Sequence, residues 1–190
     1  MKVALLGDSD VARWPDSEYP RKVIHVSGQS GATLSQIVVP HNFLEIDVVI
    51  VCAGENDIAT NIPLWQSEQA LRNLLQQLLV TQSSLQRVFF LGPKFEPWMQ
   101  DDREMRKKYW QMNLSFQRIV STEEPFATRV QYIDSLFLFC QNESRDQLET
   151  KGAVYKATPN PIYFHADQLH LSQEGYLVWK ELFEQQIAQL

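Results

Sequence analysis

Apolar runs of strand length alternate along this chain with longer segments whose apolar residues recur at helical spacing. Few folds accept that pattern. The candidate strands are Val3 to Leu6, Val23 to Val26, Val48 to Cys52, Val88 to Leu91 and Val130 to Ile133. Several are rich in Val and Ile and continuous rather than alternating, the pattern of strands covered on both faces. Between them, Leu71, Leu74, Leu75, Leu78 and Leu79 repeat at helical spacing, as do Met105, Tyr109, Met112, Phe116 and Ile119. A closing helix is expected from about Gln173, with Tyr176, Trp179, Leu182, Phe183 and Ile187 on one face and Ser172 placed to cap its start. Strand and helix in strict alternation imply an α/β protein: a three-layer α/β/α arrangement around a doubly wound, five-stranded parallel sheet.

The 190 residues match one domain, 1–190, long enough to bury a core and too short for two comfortable ones. With 44% hydrophobic and 21% charged residues the composition is that of a globular chain, not a disordered one. A formal charge of -6 argues against a nucleic-acid partner. The densest basic cluster, Arg103, Arg106, Lys107 and Lys108, is interleaved with Asp101, Asp102 and Glu104 and reads as a solvated helix face. Cys52 and Cys140 lie in apolar segments without metal-ligand spacing, so both are expected as buried free thiols. The apolar stretch Val3 to Leu6 is too short for a signal sequence or a membrane span, which makes a cytoplasmic location without a membrane span the expectation.

Open parallel sheets bind ligands outside the carboxyl ends of their strands. Ser9 falls just past the first candidate strand, Gly31 in the loop after the second, and Asn56 in the loop after the third. Asp167 and His170 follow the fifth after a long excursion, just before the last helix. Separate loops thus converge on one mouth. The least regular stretches, Gly92 to Trp98 and Gln141 to Ile162, are long enough to face a substrate.

These segments resemble the SGNH hydrolases, also called GDSL-type esterases and lipases. The family's first block, Gly-Asp-Ser-Leu, is matched by Gly7-Asp8-Ser9-Asp10, and its second-block glycine by Gly31 within Ser30-Gly31-Ala32-Thr33. Its Gly-x-Asn-Asp is matched by Gly54-Glu55-Asn56-Asp57, and its Asp-x-x-His by Asp167 to His170. Four blocks in order span nearly the whole chain. Asp10 departs from the usual leucine, which alters polarity beside the nucleophile and bears on substrate preference more than on activity. The resemblance implies the flavodoxin-like SGNH hydrolase fold and a serine esterase that needs no cofactor or metal.

A serine hydroxyl attacks poorly at neutral pH unless a base removes its proton, and an imidazole suits that task. By the resemblance, Ser9 is the nucleophile, His170 the base and Asp167 the carboxylate that orients the ring. The backbone N–H groups of Ser9 and Gly31 and the side-chain amide of Asn56 would form the oxyanion hole, each donor worth roughly 3–4 kcal/mol of barrier. Gly28 is a nearby competitor for the role of Gly31. Asp8 and Asp57 are read as holding loops together through bonds to backbone. His25, His41 and His165 match no block; His25 reads as structural, and His165 is close enough to the site to influence binding. Trp14, Tyr19, Trp65, Trp98 and Phe164 lie in or beside loops and are candidates to line an acyl or sugar pocket.

Two other readings compete. Asp8-Ser9-Asp10 is also the Asp-x-Asp of haloacid-dehalogenase-type phosphatases, in which one carboxylate attacks phosphorus and both help to hold magnesium. It requires a lysine and a later acidic pair at strand ends, whereas Asp101-Asp102 follow a loop and begin a predicted helix, and it leaves Asn56 and His170 without work. The other is a non-catalytic binding module on the same fold. The expected partner is a small-molecule ester, with a small acyl group on a soluble alcohol or sugar favoured by the lack of a long apolar lid.

Overall fold

The computed structural model describes residues 1–40, 45–81, 84–141 and 156–190. Five strands, β1 (Val3–Gly7), β2 (Val23–Gly28), β3 (Val48–Cys52), β4 (Arg87–Leu91) and β5 (Val130–Ile133), form one sheet in the order β2-β1-β3-β4-β5. Every pairing is parallel. The five predicted strands are all present. β1 and β2 run one or two residues longer than their apolar runs because Gly7 and Gly28 continue the pairing.

Side chains of a strand alternate between faces; along β1, β3 and most of β4 both faces are buried, whereas the edge strand β2 is half-exposed. Ala4, Leu6, Val49, Val51, Val88 and Phe90 point to one side, where they meet α3 (Leu64–Thr81) and α4 (Arg103–Thr122). Val3, Leu5, Val48, Ile50, Phe89 and Leu91 point to the other, against α1 (Ser9–Arg13) and α6 (Gln173–Ile187). Burying such a side chain stabilises by about 1.5–3 kcal/mol, so the unbroken Val/Ile runs are worth most in a layer covered twice. Two short helices, α2 (Glu55–Ala59) and α5 (Phe126–Arg129), complete the helical elements used below. Ser172 caps α6 as expected, its Oγ accepting the Gly175 N–H at 3.3 Å.

Two expectations are corrected. Arg106 does not belong to a solvated face: it is buried, its guanidinium lies 4.5 Å from the Phe95 ring centre, and it donates to the carbonyls of Gln100 and Ala157. A planar, weakly hydrated cation can stack where an ammonium cannot, which charge patterning alone does not reveal. Trp14 and Phe164 are core residues and line no mouth. Trp14 packs 5.5 Å from Tyr176 and 5.4 Å from Trp179 between ring centres, pinning α1 to α6. Cys52 and Cys140 are free, the first buried and the second partly so. His41 and most of the excursion from Gln141 to Ile162 lie outside the described residues.

Candidate active site

Strand register brings the motif segments to one height. Gly7 sits level with Gly28 on one side and Cys52 on the other, so the chain leaves the sheet at the same level after β1, β2 and β3. The order reverses at β1 and β3, which splays their following loops apart and opens a crevice at the carboxyl edge. Backbone bonds from Asp8 to the Cys52 carbonyl (3.1 Å) and from Gln29 to the Gly7 carbonyl (3.0 Å) tie these exits together.

Ser9 is the first residue of α1 and is partly exposed. Asp8 caps that helix, its Oδ1 accepting the Asp10 N–H at 3.1 Å. The Tyr176 hydroxyl donates to the Asp10 carbonyl at 2.9 Å, a second anchor of the turn to α6. Gly28 and Gly31 differ in what surrounds them. A Cβ on Gly28 would stand 2.2 Å from the Ala12 amide nitrogen, so this glycine lets α1 lie against β2. Gly31 is exposed, with φ 76° and open space where a Cβ would stand, and it is not among the residues that line the cavity described below.

The Asn56 amide, on α2, donates to the Ala32 carbonyl at 3.0 Å and to Asp8 Oδ2 at a longer 3.3 Å. Asp57 Oδ2 accepts the Leu34 N–H at 2.9 Å, joining the loop after β3 to that after β2. Asp57 therefore acts as expected, holding two loops together through backbone, whereas Asp8 bonds backbone only within its own turn and reaches the loop after β3 through the Asn56 side chain. On the far rim, Asp167 Oδ2 lies 2.8 Å from His170 Nδ1, while its Oδ1 accepts the N–H groups of Leu169 and His170, both at 3.0 Å. Burial works to raise the Asp167 carboxyl, but these bonds, led by that of the His170 side chain, hold it well below the usual range. An ionised carboxylate only accepts, so Nδ1 is the donor in this pair, and in the neutral imidazole the nitrogen without a proton is Nε2.

Ser9, Asn56, Asp167 and His170 all line one cavity of about 220 Å3. Trp98 and Leu169 form part of its wall. Of the five aromatic candidates only Trp98 lines this cavity; Tyr19 packs against Trp14, Trp65 is exposed elsewhere, and His165 is exposed outside the lining.

Sequence reasoning missed a further group. Lys94, in the loop after β4, is 1% exposed and reaches into the same cavity with Asp10, Glu55 and Glu96. Its Nζ lies 2.6 Å from Asp10 Oδ2, 2.8 Å from Glu55 Oε2 and 3.0 Å from Glu96 Oε1. Burial acts to lower the Lys94 ammonium, but Asp10, Glu55 and Glu96 together hold it well above its ordinary value. Burial pushes Asp8 and Glu96 well up, helped by the Asp10 charge at Asp8 and the Glu55 charge at Glu96. Burial also raises Asp10, with Lys94 opposing. The one available signal was that Gly92 to Trp98 is irregular; nothing in the spacing pairs Lys94 with residues 84 positions away.

The same contacts bear on a cation site. Ligand atoms of Asp8, Asp10 and Cys52 lie within 4.8 Å of one another. Burial pushes the Cys52 thiol well up and keeps it protonated, Asp10 faces an ammonium, and Asp8 bonds to Asn56 and backbone, so the donors do not suit magnesium. Asp102 of the would-be acidic pair caps α4, accepting the Met105 N–H at 2.9 Å.

A parallel sheet of this order with a serine turn, a carboxylate–histidine pair and an asparagine loop at its carboxyl edge defines the class of α/β acyl hydrolases. The family of GDSL-like lipases and acylhydrolases matches residues 6–178, and the chain belongs to it. It is an ester-bond hydrolase. Among solved structures it is similar to a GDSL-like lipase from Bacteroides thetaiotaomicron, at 18% identity and TM-score 0.72 over 99% of this chain and 88% of that one. It is also similar to an acetylxylan esterase from Geobacillus stearothermophilus (17%, 0.63, 98% and 93%) and to a lipase from a goat rumen metagenome (14%, 0.69, 97% and 96%). At these identities the likeness concerns the fold. Among curated proteins, none matches the chain. Among the described residues, no helix is long and apolar enough to cross a membrane.

Proposed function

We propose that residues 1–190 act as one serine esterase domain that hydrolyses small, short-chain or acetyl esters through an acyl-enzyme on Ser9. The observation that carries this reading is that Ser9, Asn56 and the hydrogen-bonded Asp167–His170 pair share one cavity at the switch point of the sheet.

In this mechanism the ester carbonyl enters with its oxygen toward the N–H groups of Ser9 and Gly31 and the Asn56 amide. Ser9 Oγ attacks the carbonyl carbon while its proton passes to His170 Nε2, and Asp167 stabilises the imidazolium that results. The oxyanion draws the Asn56 N–H that otherwise makes the long bond to Asp8. The bond to the alcohol oxygen then breaks, and the alcohol leaves with the proton from His170. Water follows the same path in reverse order, giving the carboxylic acid and restoring Ser9.

A cavity of about 220 Å3 favours a small acyl group on a soluble alcohol or sugar over a long lipid chain. Its lining includes the carboxyl groups of Asp10, Glu55, Glu96 and Asp167 against Lys94, a balance that disfavours esters bearing an anionic group near the scissile bond. Acetylated sugars fit both conditions, and an acetylxylan esterase shares the fold.

Labelling with a serine-directed organophosphonate, read by mass spectrometry, tests the assignment together with a panel of 4-nitrophenyl esters and acetylated sugars. The expected result is one adduct on Ser9 and a rate that falls as the acyl chain lengthens. Undiminished turnover by Ser9→Ala overturns it.

A further inference from the structure

We infer that Lys94 is a positioning residue that holds the nucleophile, oxyanion and base segments in one geometry; the inference rests on the serine-esterase reading. All three ammonium protons of Lys94 have carboxyl oxygens as partners, and each partner lies beside a different part of the site. Asp10 follows Ser9 on α1. Glu55 precedes Asn56 on α2, and its carboxylate is bound at both ends, Oε2 by Lys94 Nζ and Oε1 by the Lys94 backbone N–H, both at 2.8 Å. Glu96 extends the network toward the base: its Oε2 accepts the Trp98 indole N–H at 2.5 Å, and the Trp98 backbone N–H donates to the Gln168 carbonyl at 3.3 Å. Gln168 stands between Asp167 and His170. The Tyr109 hydroxyl adds a longer bond to Glu96, 3.4 Å.

Chain distance makes this arrangement informative. Asp10, Glu55 and Gln168 lie in three segments far apart in the chain, after β1, β3 and β5, and the single loop after β4 touches all of them. Buried ion pairs are poor stabilisers, since an apolar set of the same volume often does as well or better. A buried cluster of one ammonium and three carboxyl groups at the floor of a reaction cavity is therefore better explained by the geometry it enforces than by fold stability. Misplacing a reacting group by about 1 Å costs on the order of 100-fold in rate, so a network with an arm to each segment has a large effect available to it.

The test uses the full chain. Lys94→Met keeps the stem and removes the ammonium; Glu55→Gln, at a partly exposed residue, removes one arm while leaving Lys94 paired with Asp10 and Glu96. Hydrolysis of 4-nitrophenyl acetate and the rate of Ser9 phosphonylation are measured well below each variant's melting temperature. The expected result is kcat lowered about 100-fold by Lys94→Met and about 10-fold by Glu55→Gln, with KM within about threefold and phosphonylation slowed in parallel. In the double variant the two losses do not multiply, because Glu55 acts through Lys94. A merely structural role lowers the melting temperature and leaves kcat in place. Lys94→Met folding with kcat within about threefold of the parent overturns the inference. If that variant does not fold, Glu55→Gln decides alone, and kcat within about twofold is the overturning result. Ser9→Ala measured alongside separates the two readings: turnover in that variant removes the esterase mechanism, whereas its loss together with full activity of the lysine and glutamate variants removes only the role of Lys94.

Discussion

Replacing Asp167 with asparagine is expected to reverse the tautomer of His170 while leaving its support in place. Asp167 Oδ1 accepts two backbone N–H groups, both at 3.0 Å, and Oδ2 faces His170 Nδ1 at 2.8 Å. In Asp167→Asn the amide oxygen must stay on the two backbone donors, because an amide nitrogen there would meet two N–H groups. The amide nitrogen then faces Nδ1, which has to accept. The ring proton moves to Nε2, and the atom meant to take the Ser9 proton already carries one. Turning the amide to restore Nδ1–H would forfeit two backbone bonds of about 1 kcal/mol each and leave donors facing donors, roughly 3–4 kcal/mol in all. At about 1.4 kcal/mol per decade this is a fall in kcat of about 100- to 1,000-fold. The 10,000-fold loss seen where a triad aspartate is fully enclosed is not expected, because the Asp167 side chain is 44% exposed and water can relieve part of the conflict. Asp167→Ala leaves Nδ1 free to donate to water, so it should retain more activity than the isosteric asparagine. Steady-state hydrolysis of 4-nitrophenyl acetate by both variants decides the matter. Asp167→Asn within about threefold of the parent, or clearly more active than Asp167→Ala, would refute the tautomer argument.

Further expectations concern other parts of the site. Asn56→Ala removes an oxyanion donor and should lower kcat by about 100-fold with little change in KM; a rise in KM at constant kcat would assign Asn56 to ground-state binding instead. Gly28→Ala places a methyl group against the Ala12 backbone and should lower the melting temperature more than Gly31→Ala, which meets open space and bears about 1 kcal/mol of left-handed strain; equal shifts in calorimetry would contradict the packing argument. Asp8, Asp10 and Glu96 have carboxyl groups raised in the folded state, so the stability linked to them is complete below the ordinary carboxylate range and is lost as pH climbs through their raised values. Asp167 runs the opposite way: its lowered carboxyl stabilises above the ordinary range and fails only in strong acid. Melting temperature measured from about pH 5 to about pH 9 should therefore decline toward the alkaline end, and Glu96→Gln should flatten the decline; an unchanged slope in that variant would exclude Glu96 as its source.

Much of the architecture was legible in the residues themselves. Val48 to Cys52 is apolar without interruption, and burial on both faces is what such a run requires, so β3 lies at the centre of the sheet with α1 and α6 on one face and α3 and α4 on the other. Ser172 ahead of an amphipathic segment located the start of α6 because an N-cap is a local hydrogen bond. Asp167 and His170 could be paired for the same reason, being three residues apart in one turn.

What the chain determined unaided was therefore whatever acts over a few residues: hydrophobic period, caps, turns, and the kinds of side chain that follow each strand. Lys94 and Arg106 show the limit. Arg106 read as part of a solvated face and Lys94 drew no reading at all, since the energy that makes a buried cation tolerable comes from partners supplied by distant segments: three carboxyl groups for Lys94, and an aromatic face and two carbonyls for Arg106. Trp14 and Trp98 were equivalent loop aromatics until packing put the first beneath α6 and the second on the cavity wall. Only the folded chain decides such cases, because solvation and Coulomb energy depend on proximity in space, and sequence separation carries almost no information about that.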